Sequence, residues 1–173
     1  RRSGALSICW LTASLFFRRL LETMGKKIPV SVLVVIHSPD LQILQLERAS
    51  QPGFWQSVTG SRDDDESLQQ TAVREVMEET GLHAEQFQLV DWQLQNVYEI
   101  YPVWRHRYAP GVTQNTEHVF GLQVPAVQPV NISPREHLNY RWLPWQEAAE
   151  KVFSPSNRAA IMQLPGRMQQ QST

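Results

Sequence analysis

A single cysteine, Cys9, is all the thiol chemistry that 173 residues offer. No internal disulfide can form, and no group of Cys and His has the spacing of a zinc site, so a reducing, cytoplasmic setting fits. An excess of one charge is missing as well: 16 Lys and Arg stand against 17 Asp and Glu, for a formal charge of −1. That balance removes the global basic field that a nucleic-acid partner requires. Long hydrophobic runs are absent too. The apolar stretch "ALSICWLTASLFF" (5–17) resembles the middle of a secretory signal but falls short of the roughly 20 residues of a membrane span. It reads as neither, and no membrane partner is expected.

What is there supports one domain. A chain of this length with 42% hydrophobic residues can bury one sizeable core. Met24 stands directly before "GKKIPVSVLVVIH", where a clean globular pattern begins, so residues 1–23 read as an N-terminal extension outside the fold. The domain is expected over 24–164. The tail "PGRMQQQST" (165–173) lacks apolar periodicity and is expected to be frayed and disordered. A monomer is favoured.

The β-branched run 28–37 suits a strand buried on both faces, and with "LQILQLER" (41–48) it predicts a hairpin around "SPD". Residues 50–60, with Pro52 and two glycines, predict a loop into a helix over 66–80. Strands are expected at 87–101, 116–124 and 139–143, with a long hairpin connection at 103–115 and helices at 144–153 and 155–164. "RHRY" (105–108) is too short for a nucleic-acid patch and reads as a surface or hairpin feature. This order argues for an α/β fold, a mixed sheet covered on both faces by helices.

The informative stretch is "GSRDDDESLQQTAVREVMEETGL" (60–82). On a helix of about 100° per residue, with Glu75 as origin, Leu68 falls at roughly 20°, Glu79 at roughly 40°, Ala72 at roughly 60° and Val76 at roughly 100°. Two glutamates therefore share the apolar arc, with Glu78 on its flank. They are like charges four residues apart, near a helix C-terminus that disfavours anions, and partial burial adds to the cost. A hard divalent cation, Mg²⁺ or Mn²⁺, offsets this most economically, because it takes carboxylate oxygens and bridges them to phosphates.

Read in full, Gly60, Glu66, Arg74, Glu75, Val76, Glu78, Glu79, Gly81 and Leu82 stand at the nine specified positions of a 23-residue box, and the stretch resembles that of the Nudix hydrolases. Asp65 departs from the glycine usual before the first glutamate. Physically, Gly60 permits a tight turn, Gly81 suits a left-handed helix cap, and Arg74 can pair with Glu66 or Glu78 to hold the carboxylates. The resemblance implies a Nudix-type α/β/α sandwich with a curved mixed sheet. It also implies metal-assisted hydrolysis of a nucleoside diphosphate derivative or a chemically similar compound. Glu75 and Glu79 would bind the metal, and Glu78 would be a third ligand or a partner of the ligands. A further carboxylate from outside the box would complete the site: Glu136, on a loop, is preferred to Glu117, whose strand periodicity lets it face solvent.

The stretches 55–61, 105–117, 136–143 and 156–161 narrow the likeness to the bacterial branch of the family that releases pyrophosphate from 7,8-dihydroneopterin triphosphate in folate biosynthesis. That likeness carries substrate contacts to Lys27, Arg48, Thr59, the run Tyr98, Glu99, Ile100 and Tyr101, and Ser154, and metal ligation to Glu75, Glu79 and Glu136. Lys27 and Arg48 flank the first hairpin, and two cations suit a triphosphate. Tyr98, Tyr101, Trp55 and Trp104 offer flat rings for a pterin or base, and Glu99 could accept its N–H groups. Trp92 and Trp142 read as core. Glu136 and His137 are adjacent, and successive residues point apart in an extended segment. The alternatives left open are a broader nucleoside triphosphate pyrophosphohydrolase, acting for example on dATP, and a Nudix-fold binding module without turnover. Retention of Glu75, Glu78 and Glu79 speaks against the binding module.

Overall fold

The computed structural model of the protein describes residues 25–171, and the expected extension at 1–23 lies outside them. Strand β1 (Val30–His37) is the spine, buried along almost its whole length, as its β-branched run requires. It runs parallel to β6 (Gln114–Gln123), which pairs antiparallel with β5 (Gln88–Glu99) across the hairpin connection.

The first hairpin forms only at its turn. β2 (Gln42–Arg48) meets β1 at His37 and Ile43 and then diverges to pair with β7 (His137–Pro144). Its place beside β1 is taken by β4 (Val58–Ser61), and β3 (Trp55–Gln56) pairs with β2. The loop expected at 50–60 is thus partly strand: Trp55, Gln56 and Val58 are buried, and that burial outweighs the turn-forming composition around them. The result is a mixed sheet of seven strands.

Helix α1 (Leu68–Thr80) covers one face. Its start is fixed by a capping box in which Ser67 and Gln70 bond reciprocally, and its end by Gly81 at φ 70°, the left-handed cap expected there. Ala72 and Val76 pack on Val32, Val34 and Ile36. Alternate residues Leu33 and Val35 face the other way, against α2 (Trp145–Lys151) and α3 (Pro155–Gln171), where Ala148, Ile161 and Leu164 close a second core. Each fully buried Val, Leu or Ile side chain among them contributes about 1.5–3 kcal/mol.

The tail differs from expectation. α3 continues through Pro165 to Gln171 instead of fraying. The guanidinium of Arg167 lies 4.6 Å from the Trp92 ring centroid and donates to the Trp92 carbonyl at 3.3 Å, while Met168 packs on the second core. These tertiary contacts offset the hydrogen bond that proline removes. Trp92 itself turns inward at a bulge in β5 between Asp91 and Leu94, and Gly121 leaves room for its indole. Among the described residues no helix is long and apolar enough to cross a membrane.

Candidate active site

The inner stripe of α1 carries Glu75 and Glu79 among Ala72, Val76 and Thr80, all buried. Their carboxylates lie against the β1–β4 edge of the sheet. Gly60 is the reason they fit: a Cβ there would overlap the Glu75 carboxylate. The sequence reading gave Gly60 a turn, but it sits inside β4 with no left-handed backbone, and its role is close approach.

Arg74 organises the outer side. Its Nε and Nη2 grip Glu66 at 2.6 and 2.9 Å, and its Nη1 donates to Glu75 at 2.8 Å and Glu78 at 3.1 Å. A further bond to the Ser61 carbonyl at 3.0 Å ties the guanidinium to β4. Both pairings that the spacing allowed are therefore made. Hydrogen bonding to Arg74 holds Glu66 down at about 2. Glu75 behaves oppositely: burial pushes it up to about 7 against the pull of Arg74. Burial likewise raises Glu79, opposed by His137 and reinforced by Glu136.

Glu79, Glu136 and His137 present ligand atoms that all lie within 4.8 Å of one another. Glu79 Oε2 and His137 Nε2 are 3.3 Å apart, yet neither has an aligned hydrogen bond. The expectation that Glu136 and His137 diverge fails, because Glu136 lies in the turn before β7: both backbone N–H groups donate to the Ser133 carbonyl, so the pair is not extended. Glu117, weighed as the alternative, is buried rather than solvent-facing and lies apart from this cluster, 3.5 Å from the Asn96 side chain. Glu75 is outside the cluster, its Oε1 engaged by Arg74.

These carboxylates form one wall of a cavity of about 760 Å³, within the range of small-molecule sites. Lys27, Arg48 and Arg107 line it as well. Burial and the neighbouring cation Arg107 lower Lys27, while Glu75 and Glu136 oppose that shift. Arg48 is lowered first by burial and donates to Gln56 at 2.7 Å. Thr59 lines the cavity, although its hydroxyl is spent on the Val32 carbonyl at 2.9 Å. Tyr98, its phenol pushed up to about 12 mainly by burial, and Trp104 supply rings.

Four residues carried over from the resemblance are not at this wall. Ile100 is core, Glu99 is engaged by Arg105 and Gln114, and Tyr101 is exposed, edge-on to Trp104 at 5.3 Å. The Ser154 hydroxyl faces Ser156 at 3.0 Å. Trp55 is buried beneath Arg141 and Lys151.

Sequence reasoning missed Arg107 and Tyr108, which return to the cavity because the Lys27 N–H bonds the Arg107 carbonyl at 2.8 Å. The excess of carboxylates in the box was the one signal that a distant cation had to return. Asn115 was missed as well. It is buried, donates to Ser31 at 2.7 Å and to the Tyr98 hydroxyl at 3.0 Å, and keeps its Oδ1 unpartnered.

A buried acidic helix stripe, braced by one arginine and facing Lys27, Arg48 and Arg107 across a cavity, defines a class of site. The profile of the NUDIX domain matches residues 27–164, and the chain belongs to that family. It is 48% identical to the dihydroneopterin triphosphate diphosphatase of Escherichia coli K12 over 141 residues, 80% of this chain and 93% of that one. The protein of the same name from Haemophilus influenzae is 39% identical over 76% of this chain and 84% of its own length. The solved E. coli dihydroneopterin triphosphate pyrophosphohydrolase superposes with a TM-score of 0.74, at 48% identity, covering 80% of this chain and 95% of that one. Nudix hydrolases use divalent metals, and the residues present fit one: a buried carboxylate oxygen without a partner stands beside a second carboxylate.

Proposed function

We propose that this protein hydrolyses 7,8-dihydroneopterin triphosphate to the monophosphate and pyrophosphate, a step of folate biosynthesis, with Mg²⁺ at Glu75, Glu79 and Glu136 and Mn²⁺ as a substitute. The observation that carries the reading is the cavity itself, in which Lys27, Arg48 and Arg107 share one space with the acidic stripe of α1. The names of the relatives at 48% and 39% identity support the pterin substrate.

In this reading Lys27, Arg48 and Arg107 hold the phosphate chain, and their positive charges favour its ionised form. When bound, the divalent ion offsets polyphosphate charge and lowers the pKa of a water in its shell. Water attacks phosphorus, a phosphoanhydride bond breaks, and pyrophosphate leaves. Glu136, the exposed member of its cluster, has room to take the proton of the attacking water on its carboxylate. Glu78 stands beside the stripe as a further ligand or partner. Arg74 does not react but fixes Glu75 and Glu78. Tyr98 and Trp104 give the pterin flat surfaces and Thr59 adds a contact at the wall, whereas Glu99, Ile100, Tyr101 and Ser154 stand off that wall and rest on the family likeness alone.

The test is kcat/KM for dihydroneopterin triphosphate against a panel of nucleoside triphosphates that includes dATP, with magnesium present and after chelation. The expected outcome is a clear preference for the pterin, with pyrophosphate release lost on chelation. Preference for a nucleotide overturns the substrate and leaves the reaction class standing, and turnover that survives chelation overturns the metal. Hydrolysis in ¹⁸O-labelled water identifies the phosphorus that receives the new oxygen.

A further inference from the structure

Two observations at the mouth of β7 belong together. His137 is 3% exposed and neither of its ring nitrogens has a hydrogen-bond partner, although a buried imidazole ordinarily spends at least one. Its Nε2 lies 3.3 Å from Glu79 Oε2, an oxygen that is also buried and makes no hydrogen bond. A direct hydrogen bond would account for the distance, but the groups are not aligned for one. Neighbouring donors on a six-coordinate ion, each about 2.1 Å from it, stand roughly 3 Å apart. The spacing is therefore that of two ligands on one ion, and the Glu136 carboxylate stands within 4.8 Å of both.

We propose that His137 is a ligand of the divalent ion, giving this acidic site one imidazole nitrogen. The inference rests on the metal reading above and goes beyond its all-carboxylate ligand set. Its backbone basis is the Ser133 turn, which carries Glu136 and His137 to the same side, and the register shift at Glu47 and Arg48, which sets His137 opposite Arg48. The chemical consequence is selectivity. Oxygen donors suit Mg²⁺, whereas imidazole favours later first-row ions, so the site will take Mn²⁺ and Co²⁺ more tightly relative to Mg²⁺ than carboxylates alone would.

The test uses Mn²⁺ alone, without substrate. Electron spin-echo envelope modulation of the Mn²⁺-loaded protein is expected to show directly coordinated imidazole nitrogen, and its pattern is expected to change when the protein is grown with ¹⁵N-histidine. In His137→Gln, judged folded by its circular dichroism, the histidine coupling disappears. The ratio of Mg²⁺ to Mn²⁺ dissociation constants then falls about tenfold. Mn²⁺ that binds wild-type protein with no histidine coupling overturns this inference and leaves the carboxylate site intact. Failure of Mn²⁺ to bind at all overturns the metal reading itself. The wild-type spectra decide the question even if the variant does not fold.

Discussion

Two groups of carboxylates on one short stretch of chain meet opposite fates. Glu66, just before α1, is gripped by both arms of Arg74, bonds the Asp63 N–H and accepts from Thr71. It is fully satisfied and ionises far below the ordinary range. Glu75 and Glu79, on the inner stripe, are buried and raised, and Glu79 keeps an oxygen without an aligned hydrogen bond. The half-buried Glu66 is recognised as structural by how completely its charge is answered. Arg74 answers Glu66 completely and Glu75 at one oxygen, and Glu79 is left with an oxygen that has no aligned hydrogen bond.

The sharpest way to break the contrast is at Glu79. Glu79→Gln keeps the shape and removes the charge, and it is expected to lower kcat at least about 10²-fold, measured as pyrophosphate release, because metal activation supplies several kcal/mol. Turnover near wild type would place Glu79 with Glu66 as a structural group. Next in size is Arg74→Lys, which cannot reproduce the bidentate grip on Glu66. A loss of about 2–3 kcal/mol in urea unfolding is expected, and an unchanged midpoint would mean that the grip contributes nothing net.

Glu136→Ala should lower kcat about tenfold or more, while Glu117→Ala, outside the cluster, should lower it less. The reverse ranking would move the outer carboxylate to β6. The smallest effect is a pH slope. In metal-free protein Glu75 titrates near 7 when folded, against 4.5 for the free group, so the folded state holds the extra proton and stability falls as pH rises through that window. Glu66, at about 2 when folded, contributes fully above its ordinary value of 4.5, and that contribution is lost as pH falls towards 2. The unfolding free energy from urea titrations should decline by on the order of 1 kcal/mol from pH 5 to 8, and Glu75→Gln should flatten the decline.

Much of this site was legible because a helix turns spacing into geometry: Glu75, Glu79 and Arg74 stand where their periodicity put them. What spacing could not show was anything set by the partners of a strand. β3 and β4 were hidden by Pro52, Gly53 and Gly60, residues whose local preference is overridden by pairing with β2 and β1. Alternation misjudged His137 because the chain is still turning at Glu136. Arg107 and Asn115 carry no local signal, since only the return of the β5–β6 connection to Lys27 and the register with β1 bring them to the cavity. The tail was misread because helix propensity is weaker than the hold of Arg167 on Trp92.

Gly60 leaves the cradle of Glu75 with no side chain of its own. The carboxylate rests directly on main chain, so on that side its position follows from how closely strand and helix approach, while Arg74 holds it from the other. A designer who wished to enlarge the space at the Glu75 carboxylate would have to shift α1 as a rigid rod, and the dry packing of Ala72 and Val76 resists that movement.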